Sequence, residues 1–194
     1  ANAPEEIVLG IHCRSPFSID WGDGVREEFP AKNYGVDGIR GEAKGNTIRI
    51  YGDPQDFIAL YLGNNDKGNG IEELDITRLK RLRFLHCQNN ELSQLDLSQA
   101  FMLEELHLAN NHLKSLDVKH SPRLDMLICH GNEIESLDLS ELNRLIALRC
   151  ENNKISSLQI DHLRELTVLR CGGNPIEQLD VSKNKKLQQL FIEN

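Results

Sequence analysis

Six leucines recur at one spacing: Leu82, Leu103, Leu124, Leu145, Leu166 and Leu187, each 21 residues after the last. A period of that length predicts a solenoid. One such unit cannot bury its apolar face alone and must stack on its neighbours. Stacking places the same position of every coil along one long exposed face. The period thus fixes the kind of object and the place where a ligand would sit, while leaving the ligand unnamed.

Five full units occupy residues 82–186 and share the pattern LxxLx(L/C)xxNx(L/I)xxLD(L/V/I)S. A partial unit, LQQLFIEN, covers 187–194. An imperfect unit at 57–81 keeps Leu60, Leu62, Asn65, Leu74, Asp75 and Ile76, with extra residues in the loop NNDKGNG. The expected organisation is therefore a solenoid over 57–194 preceded by a different segment, 1–56.

Physical reasoning gives each position a role. In LxxLxL the last three residues alternate, so Leu106 and Leu108 point inward and His107 outward. Coils about 4.8 Å apart bring like positions into ladders. Leu85, Leu106, Leu127, Leu148, Leu169 and Leu190 form one; Leu95, Leu116, Leu137, Leu158 and Leu179 form another. Burying one leucine contributes about 1.5–3 kcal/mol, against a backbone ordering cost of about 1–2 kcal/mol per residue, so only shared cores suffice. Leu95-Asp96-Leu97 is too short for a helix and alternates as a strand does. Asn90, Asn111, Asn132, Asn153 and Asn174 form a polar ladder whose amides are expected to bridge the coils above and below. Asp96, Asp117, Asp138 and Asp180 form an acidic ladder, expected to be held by turn amides.

This pattern resembles the leucine-rich repeat. More narrowly it is similar to the short bacterial 21-residue class of internalin-type surface proteins, over about 138 residues of the chain. The resemblance implies a β-rich solenoid with parallel strands. It also implies a non-enzymatic binding module, exported or attached to a bacterial surface. The start at ANAPEE, without methionine, suits a chain whose signal peptide has been removed.

The first 56 residues lack the period. EEIVLGIHC reads as a strand, FSIDWGDGVREEF as a hairpin turning at Gly22-Asp23-Gly24, and TIRIYG as a further strand. FPAKNYGVDGIRGEAKGN, rich in Gly, Asn and Asp, reads mostly as loop. IDWGDG resembles the WGDG motif of polycystic-kidney-disease-like (PKD-like) β-sandwich modules, so the segment reads as a β cap or a truncated sandwich. Trp21 is expected to pack the hairpin. Asp20, Asp23 and the loop 64–70 lack the spacing of a calcium loop.

Cys87, Cys129, Cys150 and Cys171 share the second inward slot of LxL, which Leu108 and Ile192 fill elsewhere. Cysteine there reads as a small buried hydrophobe. Side chains on stacked parallel strands do not converge as a disulfide or a zinc cluster requires. No GxSxG, HExxH, phosphate loop or paired CxxC is present. His12 and Cys13 are adjacent and so fall on opposite faces of a strand. No cofactor is implied.

The net charge of −8 divides evenly, −4 in residues 1–56 and −4 in 57–194. No basic stripe favours nucleic acid, and no apolar run has the roughly 20 residues of a membrane span. The outward strand positions supply the candidate ligand-binding set: Phe84, His86, His107, Met126, Ile128, His130, Arg149, Val168, Arg170 and Phe191. Large apolar residues beside arginine are the types enriched in protein interfaces. His86, His107 and His130 lie on one face, a grouping that a metal would need, but they are assigned here to the ligand face and not to a metal. The expected partner is a protein. A structural or adhesive spacer is the alternative, and a carbohydrate ranks lower because aromatics are only 5% of the chain. The last unit stops partway through a coil, so that end is expected to be covered by self-association or by further sequence beyond it.

Overall fold

The computed structural model describes residues 6–63 and 68–193, apart from the side chains at 36 and 37. Five strands precede the repeats: β1 (Glu6–Cys13), β2 (Phe17–Asp20), β3 (Arg26–Phe29), β4 (Lys32–Glu42) and β5 (Arg49–Tyr51). Each coil then contributes one strand: β6 (Phe57–Tyr61), β7 (Phe84–His86), β8 (Glu105–His107), β9 (Met126–Ile128), β10 (Ala147–Arg149), β11 (Val168–Arg170) and β12 (Gln189–Phe191). No helix occurs among the described residues, so none is long and apolar enough to cross a membrane.

Strands β6 to β12 are parallel and in order. Leu85, Leu106, Leu127, Leu148, Leu169 and Leu190 are direct partners along the ladder, as the spacing predicts. The first step, Leu60 to Leu85, absorbs the longer imperfect unit without breaking register. Beyond β6 the same sheet continues antiparallel through β1 and then β4, making nine strands. A second sheet, β3-β2-β5, packs Phe17 and Phe29 into the same core.

The back of each coil is not a strand. Leu95-Asp96-Leu97 keeps the inward–outward alternation but makes no ladder. Two consecutive tight turns follow instead, as where Ala100 N donates to Leu97 O (2.9 Å) and Leu103 N to Ala100 O (3.1 Å). Chain returning this fast cannot run alongside its neighbour long enough to pair. The residue between the turns, Ala100, Ser121, Leu142, Leu163 or Asn184, is buried in each of the five full units. That row carries no common residue type and is invisible to a pattern search. The acidic ladder behaves as expected: Asp96, Asp117, Asp138 and Asp180 accept from the amides of Ser98, Lys119, Ser140 and Ser182 at 2.7–3.0 Å.

The asparagine ladder is buried, but it works in one direction only. Asn132 Oδ1 accepts from Leu113 N of the preceding coil (3.0 Å). Its Nδ2 donates to Leu108 O of that coil (2.9 Å) and to Cys129 O of its own (3.0 Å). Asn111, Asn153 and Asn174 repeat this geometry. In the imperfect unit Asn69 takes this role, and Asn65 lies outside the described residues. Asn69 Nδ2 donates to Val8 O (2.8 Å), and its Oδ1 accepts from Val8 N (3.1 Å), so the ladder reaches β1. The residue before each clasp is left-handed: Asn89, Asn110 and Asn152 (φ 55–58°), with Gly131 and Gly173 (φ 67°) in the same slot. Asparagine and glycine are the residues that tolerate this conformation.

The N-terminal hairpin turns as predicted, β2 pairing antiparallel with β3. Asp20, itself buried, accepts from Gly22 N (2.8 Å) and Gly24 N (2.9 Å). Those amides, Gly22 first, lower its carboxyl pKa. Trp21 is buried and donates from Nε1 to Glu27 Oε2 (2.9 Å), a packing role. The expectation of loop across 29–46 is wrong over most of its length, because β4 is an eleven-residue strand paired with β1. The calcium-loop reading at 64–70 falls partly on residues 64–67, which lie outside the described residues.

Candidate binding face

Because the ladder holds register, the outward residues form straight rows. Phe84, Glu105, Met126, Ala147, Val168 and Gln189 make one row, and His86, His107, Ile128, Arg149, Arg170 and Phe191 the next. All ten predicted residues lie on this face. Nine are partly buried by neighbours in the rows, and Phe191 is 48% exposed. The face is therefore a layer of side chains packed edge to edge and not a fringe of free ones.

Three local groups organise it. At the N-terminal end, the His86 and His107 rings stack with centroids 3.8 Å apart and planes within 10°. Tyr61 stands edge-on to His86 at 4.9 Å. Tyr61 was missed in the candidate set, although Leu60 and Leu62 flank it as an LxL unit should and so predict an outward residue. In the middle, His107 Nε2 approaches Met126 Sδ (3.3 Å). Arg149 Nε lies 3.5 Å from Glu151 Oε1, close but not aligned as a hydrogen bond. At the C-terminal end the Arg170 guanidinium lies 4.2 Å from the Phe191 ring centroid, a cation–π contact.

Burial holds the imidazoles neutral. It pushes His86 down to about 4, and His107 also to about 4, where the neighbouring His86 adds to the effect. Burial lowers His130 too. The three histidines do not form one cluster. Donor atoms of His86, His107 and Glu105 lie within 4.8 Å of one another, so the third member is Glu105 and not His130. Glu105 shares a strand with His107, and its longer side chain reaches across to His86, with Oε2 3.4 Å from Nε2.

Behind the face, all five cysteines, Cys13 included, are free and buried. Burial pushes Cys87 and Cys129 up to about 12 and Cys171 to about 11, and raises Cys150 well above the usual thiol range. These thiols fill core volume and are poor nucleophiles.

The parallel ladder, single strand per coil and asparagine-clasped corner define a leucine-rich-repeat solenoid. Its structural neighbours are internalin-like. The functional domain of InlJ from Listeria monocytogenes, described as including a cysteine ladder, is 29% identical with a TM-score of 0.63; the match covers 63% of this chain and 27% of that one. The internalin InlF of Listeria monocytogenes is 22% identical with a TM-score of 0.61, covering 63% and 38%. A plant peptide hormone receptor, RGFR1 in complex with RGF2, shares the fold at 21% identity and a TM-score of 0.56, covering 60% and 21%. This chain thus spans well under half the length of these neighbours. No protein-family model matches the sequence, and no curated protein does.

Proposed function

We propose that the chain is a non-enzymatic protein-binding module that takes its partner on the strand face, outside or on the surface of a bacterial cell. One observation carries this reading. Met126, Ile128, Arg149 and Arg170 form an apolar and cationic patch on three consecutive in-register strands, β9 to β11, and Phe84 stands two strands away, beyond Glu105 and His107 of β8. A packed sheet presents them with little side-chain freedom left to lose, which favours binding. The shared fold with a receptor solved together with a peptide hormone supports a protein as the ligand class. The internalin-like neighbours support the extracellular location. Residues 1–56 act in this reading as a cap on the first coil, a truncated relative of a PKD-like module.

The test is quantitative capture of extracellular proteins by the intact chain and by an Ile128→Ala, Arg149→Ala double variant. Partners retained by the first and lost by the second support the reading. Equal retention by both, with loss on substituting back-face residues such as Ser98 and Lys119, overturns it. A spacer would capture nothing on either face.

Self-association is the second reading, favoured by Leu190, Phe191 and Ile192, which are 40–52% exposed on the last described coil. Sedimentation of the chain against a Phe191→Glu, Ile192→Lys variant tests it: a concentration-dependent dimer lost in the variant supports it, and a monomer in both rejects it.

A further inference from the structure

The geometry points to a transition-metal site on the strand face, formed by His86, Glu105 and His107, for an imidazole-preferring divalent ion such as zinc or copper(II). The three donor groups come from two adjacent strands whose register sets His86 directly opposite His107. Their ligand atoms lie within 4.8 Å of one another. Two donors about 2.0–2.1 Å from a tetrahedral zinc stand about 3.3 Å apart. His86 Nε2 and Glu105 Oε2 are already 3.4 Å apart.

That approach is not a hydrogen bond. His86 Nε2 is buried and has no hydrogen-bond partner, although a carboxylate oxygen stands beside it. A buried nitrogen in this state is costly to keep. A cation between the two groups satisfies both, because imidazole and carboxylate each offer it a lone pair.

The stack is the one feature that must change. Imidazole lone pairs lie in the ring plane, and these planes are parallel within 10°. One ring therefore turns until both lone pairs meet at a point, and the stacking contact is exchanged for a second metal bond. Met126 Sδ, 3.3 Å from His107 Nε2, adds a soft donor at the edge of the set. Thioether sulfur is a soft ligand that suits copper(I) and serves copper(II) only as a weak, long axial ligand. His112 is a natural control: it sits exposed against Glu91 (2.6 Å), a lone histidine–carboxylate pair with no second ring.

The test is calorimetric titration of the folded chain with zinc chloride and, separately, copper(II) chloride. The expected result is one ion per chain, bound more tightly than about 100 µM. His107→Ala and Glu105→Gln should each weaken binding at least about tenfold, while His112→Ala leaves it unchanged. Denaturation midpoints confirm that each variant is folded, and His86→Ala replaces any that is not. Electron paramagnetic resonance of the copper form should show two nitrogen ligands in the wild type and one in His107→Ala. No binding tighter than about 100 µM by either ion overturns the proposal. So does binding undiminished in His107→Ala, or lost equally in His112→Ala. Partner capture needs no added metal, so the two readings fail independently.

Discussion

The N-terminal strands and the repeats are held together by different means. Around β1, β2 and β4 the strands are antiparallel, and rings fill the interior. Phe17 stacks on Phe29 at 5.3 Å and meets Tyr34 and Phe57 edge-on. Trp21 lies so close over Gly41 that a Cβ there would stand 2.4 Å from its ring. Strands β7 to β12 have three residues each, and the buried apolar residues from Leu82 onward are all Leu, Ile, Val, Ala or Cys. A slot that recurs at every coil admits only side chains that stack on copies of themselves within one strand spacing. The lesson is one of redundancy. In the cap each contact is made once, by one pair of residues. In the repeats each contact is made again one coil further on.

The largest effect is expected from the unique contacts. Phe17→Ala should cost about 3–5 kcal/mol in chemical denaturation, since it empties the centre of the ring cluster. Leu127→Ala should cost about 2–5 kcal/mol, as a cavity in a ladder whose neighbours relax only partly. If Leu127→Ala cost less than about 1 kcal/mol, neighbouring coils would be closing the gap, and the contrast between the two regions would be sharper. Asn132→Ala should cost about 1–3 kcal/mol, because Leu113 N loses its partner inside the core and Leu108 O keeps only Asn111 Nδ2. Ile128→Ala should change stability by no more than about 0.5 kcal/mol, as expected for an outward side chain, while weakening partner binding by more than about 1 kcal/mol. If it destabilised the chain as much as Leu127→Ala, the strand face would be part of the core. Smallest of all, thiol reagents should leave Cys129 and Cys150 unlabelled in the folded chain and label them after denaturation. Rapid native labelling would break the assigned register.

How far the sequence could be read follows the same division. Wherever a residue type repeats, its place was legible: the leucine ladder, the buried thiols, the aspartates on their turn amides and the outward rows. A feature set by reach or direction was not. Spacing could not say that Asn132 turns back toward the coil before it, or that Glu105 and not His130 completes the group at His86. The cap offered no period at all. Strand β4 contains Gly35, Gly38 and Gly41, which read as loop, yet Gly41 is required beneath Trp21 and β1 supplies the pairing. Tertiary partners made that strand, against its own composition.

The asparagine clasp gives the solenoid an order of completion. The corner amide of a coil is answered by the asparagine of the coil after it, which also gives the corner carbonyl a second donor beside its own coil's asparagine, so a coil is finished only when its successor arrives. The chain of clasps begins on Val8 in the cap, through Asn69. A polypeptide emerging from its N-terminus would therefore close one corner at a time, each new repeat locking the one already laid down. Growth in the opposite direction would set each asparagine in place before the corner it serves exists.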